Sequence, residues 1–93
     1  MSLDALWIAA RSGDLAARRA LADALHAWLG SFFRRYPASI FEVEDRIRIT
    51  IAAIVEELDG FTPRHPRAFE ARAHDIATRI LHSRSARLRA APT

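Results

Sequence analysis

Apolar residues recur along this chain at intervals of three and four, not two, so helix is the expected element almost throughout and no half-buried strand is signalled. Ser2 can cap a short first helix from about Leu3 to Arg11, with Leu3, Leu6, Trp7 and Ala10 on one stripe. Ser12-Gly13 breaks the chain, and Asp14 can cap a second, longer helix whose stripe is Leu21, Leu25, Trp28, Leu29 and Phe32. Tyr36-Pro37 ends it. Ser39 and Glu42 have capping-box spacing before a third helix striped by Ile40, Val43, Ile47, Ile51, Ile54 and Leu58, with Val55 alongside and Gly60 as the C-terminal stop. Pro66 suits the first position of a fourth helix, where its missing N–H costs nothing, and Phe69, Ala73, Ile76, Ala77 and Ile80 form its buried face. That helix is expected to fray after Ser83. The expected fold is all-α: a compact bundle of three long helices plus a short N-terminal one over residues 1–83. Residues 84–93, with three arginines and one large apolar side chain, read as a basic tail or the start of a linker.

Length agrees with one domain, since 93 residues support a single core that buries roughly 60–65% of the unfolded chain's surface. The longest apolar run, Ile51-Ala52-Ala53-Ile54-Val55, is far too short to span a bilayer. Neither a basic leader nor a cysteine is present, so a soluble, cytoplasmic chain with no membrane partner is expected. All 14 basic residues are arginine, a bias that fits a GC-rich genome as readily as phosphate recognition. Their distribution is more informative. Residues 1–60 hold seven arginines against nine carboxylates, net −2, whereas residues 61–93 hold seven against two, net +5. The basic surface therefore belongs to the C-terminal third, where Leu58-Asp59-Gly60-Phe61-Thr62-Pro63-Arg64-His65-Pro66-Arg67 forms a proline-pinned cationic turn ahead of a basic helix.

Catalytic chemistry finds no footing in these residues. His26, His65, His74 and His82 have no i,i+4 partner and no cysteine nearby in sequence, so no metal site or cofactor is expected. No glycine-rich phosphate loop or activated serine stands out, and Glu56-Glu57 reads as a solvated helix end. Trp7 and Trp28 lie on apolar stripes and read as core. Phe61, between glycine and threonine, suits either exposure or a plug on the end of the bundle.

Taken in order, Leu6-Trp7-Ile8-Ala9-Ala10-Arg11-Ser12-Gly13-Asp14-Leu15-Ala16-Ala17, Phe32-Phe33-Arg34-Arg35-Tyr36, Val43-Glu44-Asp45, Leu58-Asp59-Gly60-Phe61-Thr62-Pro63, Phe69-Glu70-Ala71 and Ile76-Ala77-Thr78-Arg79 form a recognisable series. From about Leu6 to Arg87 the chain resembles the N-terminal domain of bacterial sigma factors of the extracytoplasmic-function type. The resemblance implies a helical bundle that docks on the β′ clamp helices of core RNA polymerase and holds the minus-ten promoter element as a single strand. On that basis Asp45, Arg48 and Ile49 of the third helix would face polymerase. Phe61, Thr62, Arg64, His65 and Arg67 of the turn, with Arg72, Arg79 and Ser83 of the fourth helix, would face promoter DNA. A flipped base would sit near the loop from Thr62 to Pro66.

Some positions depart from the family pattern. Arg48 and Ile49 stand where the family has glutamine and an acid, and Glu70 and Arg72 where it has a basic residue and tryptophan. These motivate a second expectation, a sigma-like interaction domain that binds an anti-sigma factor or another regulator, and a third, a helical dimerisation module that would bury Ile49. For the arginines the simpler alternative is a solvated face with local pairing, because Asp75 lies three residues after Arg72 and four before Arg79.

Overall fold

Three short-range caps set the first three helices of the computed structural model, which describes the backbone of residues 2–90 and the side chains of residues 2–83. Ser2 Oγ accepts from the Ala5 N–H at 3.1 Å and opens α1, Leu3–Arg11. Asp14 Oδ1 accepts from Ala17 N–H at 3.2 Å and opens α2, Leu15–Phe33. Ser39 Oγ accepts from Glu42 N–H at 3.1 Å and opens α3, Ile40–Glu57. Each cap satisfies a donor that the first helical turn leaves without an internal partner. Gly60, at φ +82°, takes the left-handed conformation that ends the turn after α3, and the Phe61 N–H donates back to Leu58 O at 2.9 Å.

The result is a four-helix bundle with no strand among the described residues. Each helix packs on the next in sequence, and α4, Ala68–Ala90, closes back on α1. Leu25, Leu29 and Phe33 of α2, Ile47 and Ile54 of α3, and Phe69, Ala73 and Ala77 of α4 form the centre of the core. No described helix is long and apolar enough to cross a membrane.

Four details differ from the sequence reading. Ile40 is 73% exposed, because the first turn of α3 precedes its contact with α2, and burial along that stripe starts at Val43. Pro66 lies in a turn ahead of α4 and not at its first position. Arg67 has φ +64°, so right-handed helical geometry begins only at Ala68. The backbone of α4 continues to Ala90, past Ser83 where fraying was expected, while residues 91–93 of the expected tail lie outside the described residues. Lastly, α3 buries an arginine that its stripe does not signal. Arg46 is 5% exposed, its Nη2 lies 4.0 Å from Glu42 Oε2, and its Nη1 has no hydrogen-bond partner.

Candidate nucleic-acid interface

The start of α4 is capped from α1, far away in sequence. Asp4 of α1, itself buried, accepts from the Phe69 N–H at 2.9 Å and from the Glu70 N–H at 3.1 Å. Its negative charge also lies at the positive end of the helix dipole. Two residues further along α1, Leu6 joins the core, and next to it Trp7 stacks on Phe69 with centroids 4.6 Å apart and planes at 20°. The Trp7 indole N–H donates to Phe61 O at 2.9 Å. Both ends of the cationic turn are therefore fixed to α1, one by a carboxylate and the other by an indole.

Between these anchors the backbone folds around a concavity of about 430 Å³ lined by Gly60, Phe61, Thr62, Arg64, His65 and Ala68. Thr62, Arg64 and His65 are exposed, whereas Phe61 is half-buried and packs against the core, so it is a plug with one wall open. The Arg72 guanidinium lies 5.9 Å from the Phe61 ring centroid, at cation–π distance. Arg67 lines a neighbouring hollow of about 340 Å³ together with Trp28, Glu70, Ala71 and His74, and its Nε lies 3.8 Å from Glu70 Oε2.

The structure thus brings together Phe61, Thr62, Arg64 and His65, with Arg67 and Arg72 at the border. Arg79 and Ser83 share a helix face with Arg72 but lie two and three turns further along α4. Arg79 is engaged elsewhere. It makes a two-pronged contact with the Glu57 carboxylate of α3, with Nη1 to Oε1 at 2.9 Å and Nη2 to Oε2 as the second prong. The hydrogen bonds from Arg79 hold the Glu57 carboxyl below its ordinary range, and the same bonds raise the Arg79 guanidinium above its own. Glu57 is therefore a paired helix end and not simply a solvated one. The local pairing of Asp75 with Arg72 and Arg79 gives way to Arg72 over Phe61 and Arg79 on Glu57. Ser83 is exposed at the edge of the described side chains.

The three residues assigned to polymerase stand together on α3. Asp45 Oδ1 lies 3.5 Å from Arg48 Nη2 within the helix, Arg48 is well exposed, and Ile49 is half-buried against the core. Ile49 therefore offers only part of its side chain to a partner. Next to them His26 Nε2 meets Glu44 Oε2 at 3.1 Å, tying α2 to α3.

Sequence reasoning missed Asp4, the Trp7 indole contact, the Glu57–Arg79 pair, and the position of Trp28 and His74 beside Arg67. Trp28 falls on the α2 stripe and reads as core, yet it is only half-buried and meets His74 edge-on at 6.5 Å. A tryptophan at a helix stripe position gives no sign of which part of its large ring stays open.

Removing the Glu57 carboxylate tests whether Arg79 is available to a ligand. On the expectation that α4 faces single-stranded DNA, Glu57→Gln should strengthen that binding and steepen its salt dependence by about one counterion, read by fluorescence anisotropy at two salt concentrations. The pH sign is fixed by the lowered carboxyl. Any stability from the pair is present above the usual carboxylate range and is lost as pH falls through the depressed value. The stability difference between the wild type and Glu57→Gln should therefore shrink on acidification.

Comparison of the chain with models of protein families, with characterised proteins and with solved structures finds no match.

Proposed function

We propose that this chain is a sigma-factor-like module that binds core RNA polymerase through α3 and a single minus-ten promoter strand through the turn before α4. The observation that carries this reading is the concavity of about 430 Å³ at Gly60 to Ala68. It lies at the loop where the sequence resemblance puts a flipped base. It joins an aromatic wall, a hydroxyl and two potential cations, the combination that holds an unstacked base by its face and edge while arginine meets the flanking phosphates. Phe61, Thr62 and His65 would contact the base, and Arg64, Arg67 and Arg72 the backbone. Arg79 and Ser83 would extend the track along α4 once Arg79 leaves Glu57. Binding of this kind needs no catalytic group.

The second reading, a regulator-binding domain such as the target of an anti-sigma factor, draws on the α3 face. There Asp45 meets Arg48 within the helix, and Ile49 is half-buried. A partner of different charge pattern from the polymerase clamp would suit that surface.

The deciding experiment measures binding to core RNA polymerase and to a labelled non-template minus-ten strand, with duplex of the same sequence as control, at low and physiological salt. The module should bind polymerase, and should bind the single strand better than the duplex with affinity falling as salt rises. Binding to neither polymerase nor the strand would overturn the proposal. Co-purification with an anti-sigma partner in the absence of DNA affinity would favour the second reading.

A further inference from the structure

A separate site lies where α1, α2 and α3 meet around a groove of about 460 Å³. That volume is within the range of small-molecule sites, roughly 300–1,000 Å³. It shares no residue with the concavity at Gly60 to Ala68. Trp7, Leu21 and Leu25, each less than a tenth exposed, form its floor, and Ile51 and Val55 of α3 form one wall. Val55 is 60% exposed, so the apolar lining continues up to the rim with nothing packed above it.

Two guanidinium groups also line the groove, each held by a contact other than an ion pair. Arg11 lies 5.8 Å from the Trp7 ring centroid, and Arg18 Nε donates to Ala10 O at 3.2 Å. Among the described residues no carboxylate lies within ion-pair distance of either. Asp59 also lines the groove, so its lining carries two cations and one anion. The apolar floor and the excess of positive charge in the lining suit an occupant with an apolar body and an anionic head.

We propose that this groove binds a small amphiphilic carboxylate, its apolar body over Trp7, Leu21, Leu25 and Val55 and its head group at Arg11 and Arg18. The head can accept from the remaining guanidinium N–H groups in the fork geometry that suits a carboxylate. This goes beyond the nucleic-acid reading and does not depend on it.

The chain has two tryptophans, so Trp28→Phe leaves Trp7 as the sole reporter in the groove. In that background decanoate and decyltrimethylammonium, below their micelle concentrations, and decanol, below its solubility limit, are titrated while Trp7 emission is followed. Decanoate should bind saturably and at least tenfold tighter than the other two. Arg11→Gln and Arg18→Gln should each erode that advantage, and Ala22→Phe, on the exposed rim, should block all three probes. Thermal melts monitored by circular dichroism establish that each variant is folded, and the two arginine variants serve as independent checks if one is not. Equal affinity for the three probes, no binding of decanoate, or an Ala22→Phe variant that still binds decanoate would overturn the proposal. So would a dimer in sedimentation equilibrium that Ala22→Phe converts to monomer, because the groove would then hold a second copy of the chain.

Discussion

Asp4→Ala should lower the unfolding free energy by about 3 kcal/mol, with a fall in melting temperature of roughly 12–24 °C for a domain of this size. The substitution removes a buried carboxylate that accepts from the N–H groups of both Phe69 and Glu70. Hydrogen bonds to charged groups are worth about 1.5–3 kcal/mol each, and the loss exceeds that of an ordinary surface cap because at least one of the freed donors lies in the interior. Helix α4 also loses the charge that complements its dipole. Asp4→Asn keeps an acceptor oxygen without the charge and should cost less, about half as much. Chemical and thermal unfolding of the three proteins, followed by circular dichroism, gives the comparison. A loss below about 0.5 kcal/mol for Asp4→Ala would mean that solvent or a rearranged turn caps α4 equally well.

Phe69→Ala should be at least as damaging, at about 3–5 kcal/mol, because this side chain is fully buried and its removal leaves a cavity that its neighbours only partly fill. Phe69 touches the core on one side and stacks on Trp7 on the other, so the variant also loses an aromatic pair worth about 0.5–1.5 kcal/mol beyond area, a part of the same total. A second readout separates this from a general loss of packing. With its stacking partner gone, Trp7 should become more solvent-exposed, and its emission should move to longer wavelength before global unfolding. Phe69→Leu refills much of the volume and should recover part of the stability without restoring the tryptophan environment. Unchanged emission in folded Phe69→Ala would show that the stack does not set the position of Trp7.

What the sequence revealed of this structure follows the reach of each interaction along the chain. The caps by Ser2, Asp14 and Ser39 each span three residues, so the pattern of side chains carries them directly. Helical periodicity likewise identifies the faces of α2 and α4, because packing selects one stripe from each. The interactions that build the candidate interface span much more: 65 residues for Asp4 to Phe69, 54 for Trp7 to Phe61 and 22 for Glu57 to Arg79. A single sequence holds no trace of which distant acid or indole meets which backbone group. The turn residues themselves stood out through their charge and prolines. Their mutual arrangement did not, since the left-handed Arg67 and the α1 anchors decide it.

The dependence of the α4 start on Asp4 has a consequence for how the chain acquires its structure. During synthesis Asp4 and Trp7 emerge long before Phe69, so α1 can form as a local helix but cannot complete its contacts until the 65 residues that separate Asp4 from Phe69 have been made. Closing a loop of that length carries an entropy cost before the contacts repay it, and such long-range contacts slow folding relative to a bundle of neighbouring helices alone. The tie also joins the first and last helices into one cooperative unit. Proteolytic removal of the first dozen residues would therefore loosen the distant turn that presents Arg64 and His65, although neither residue would have been touched.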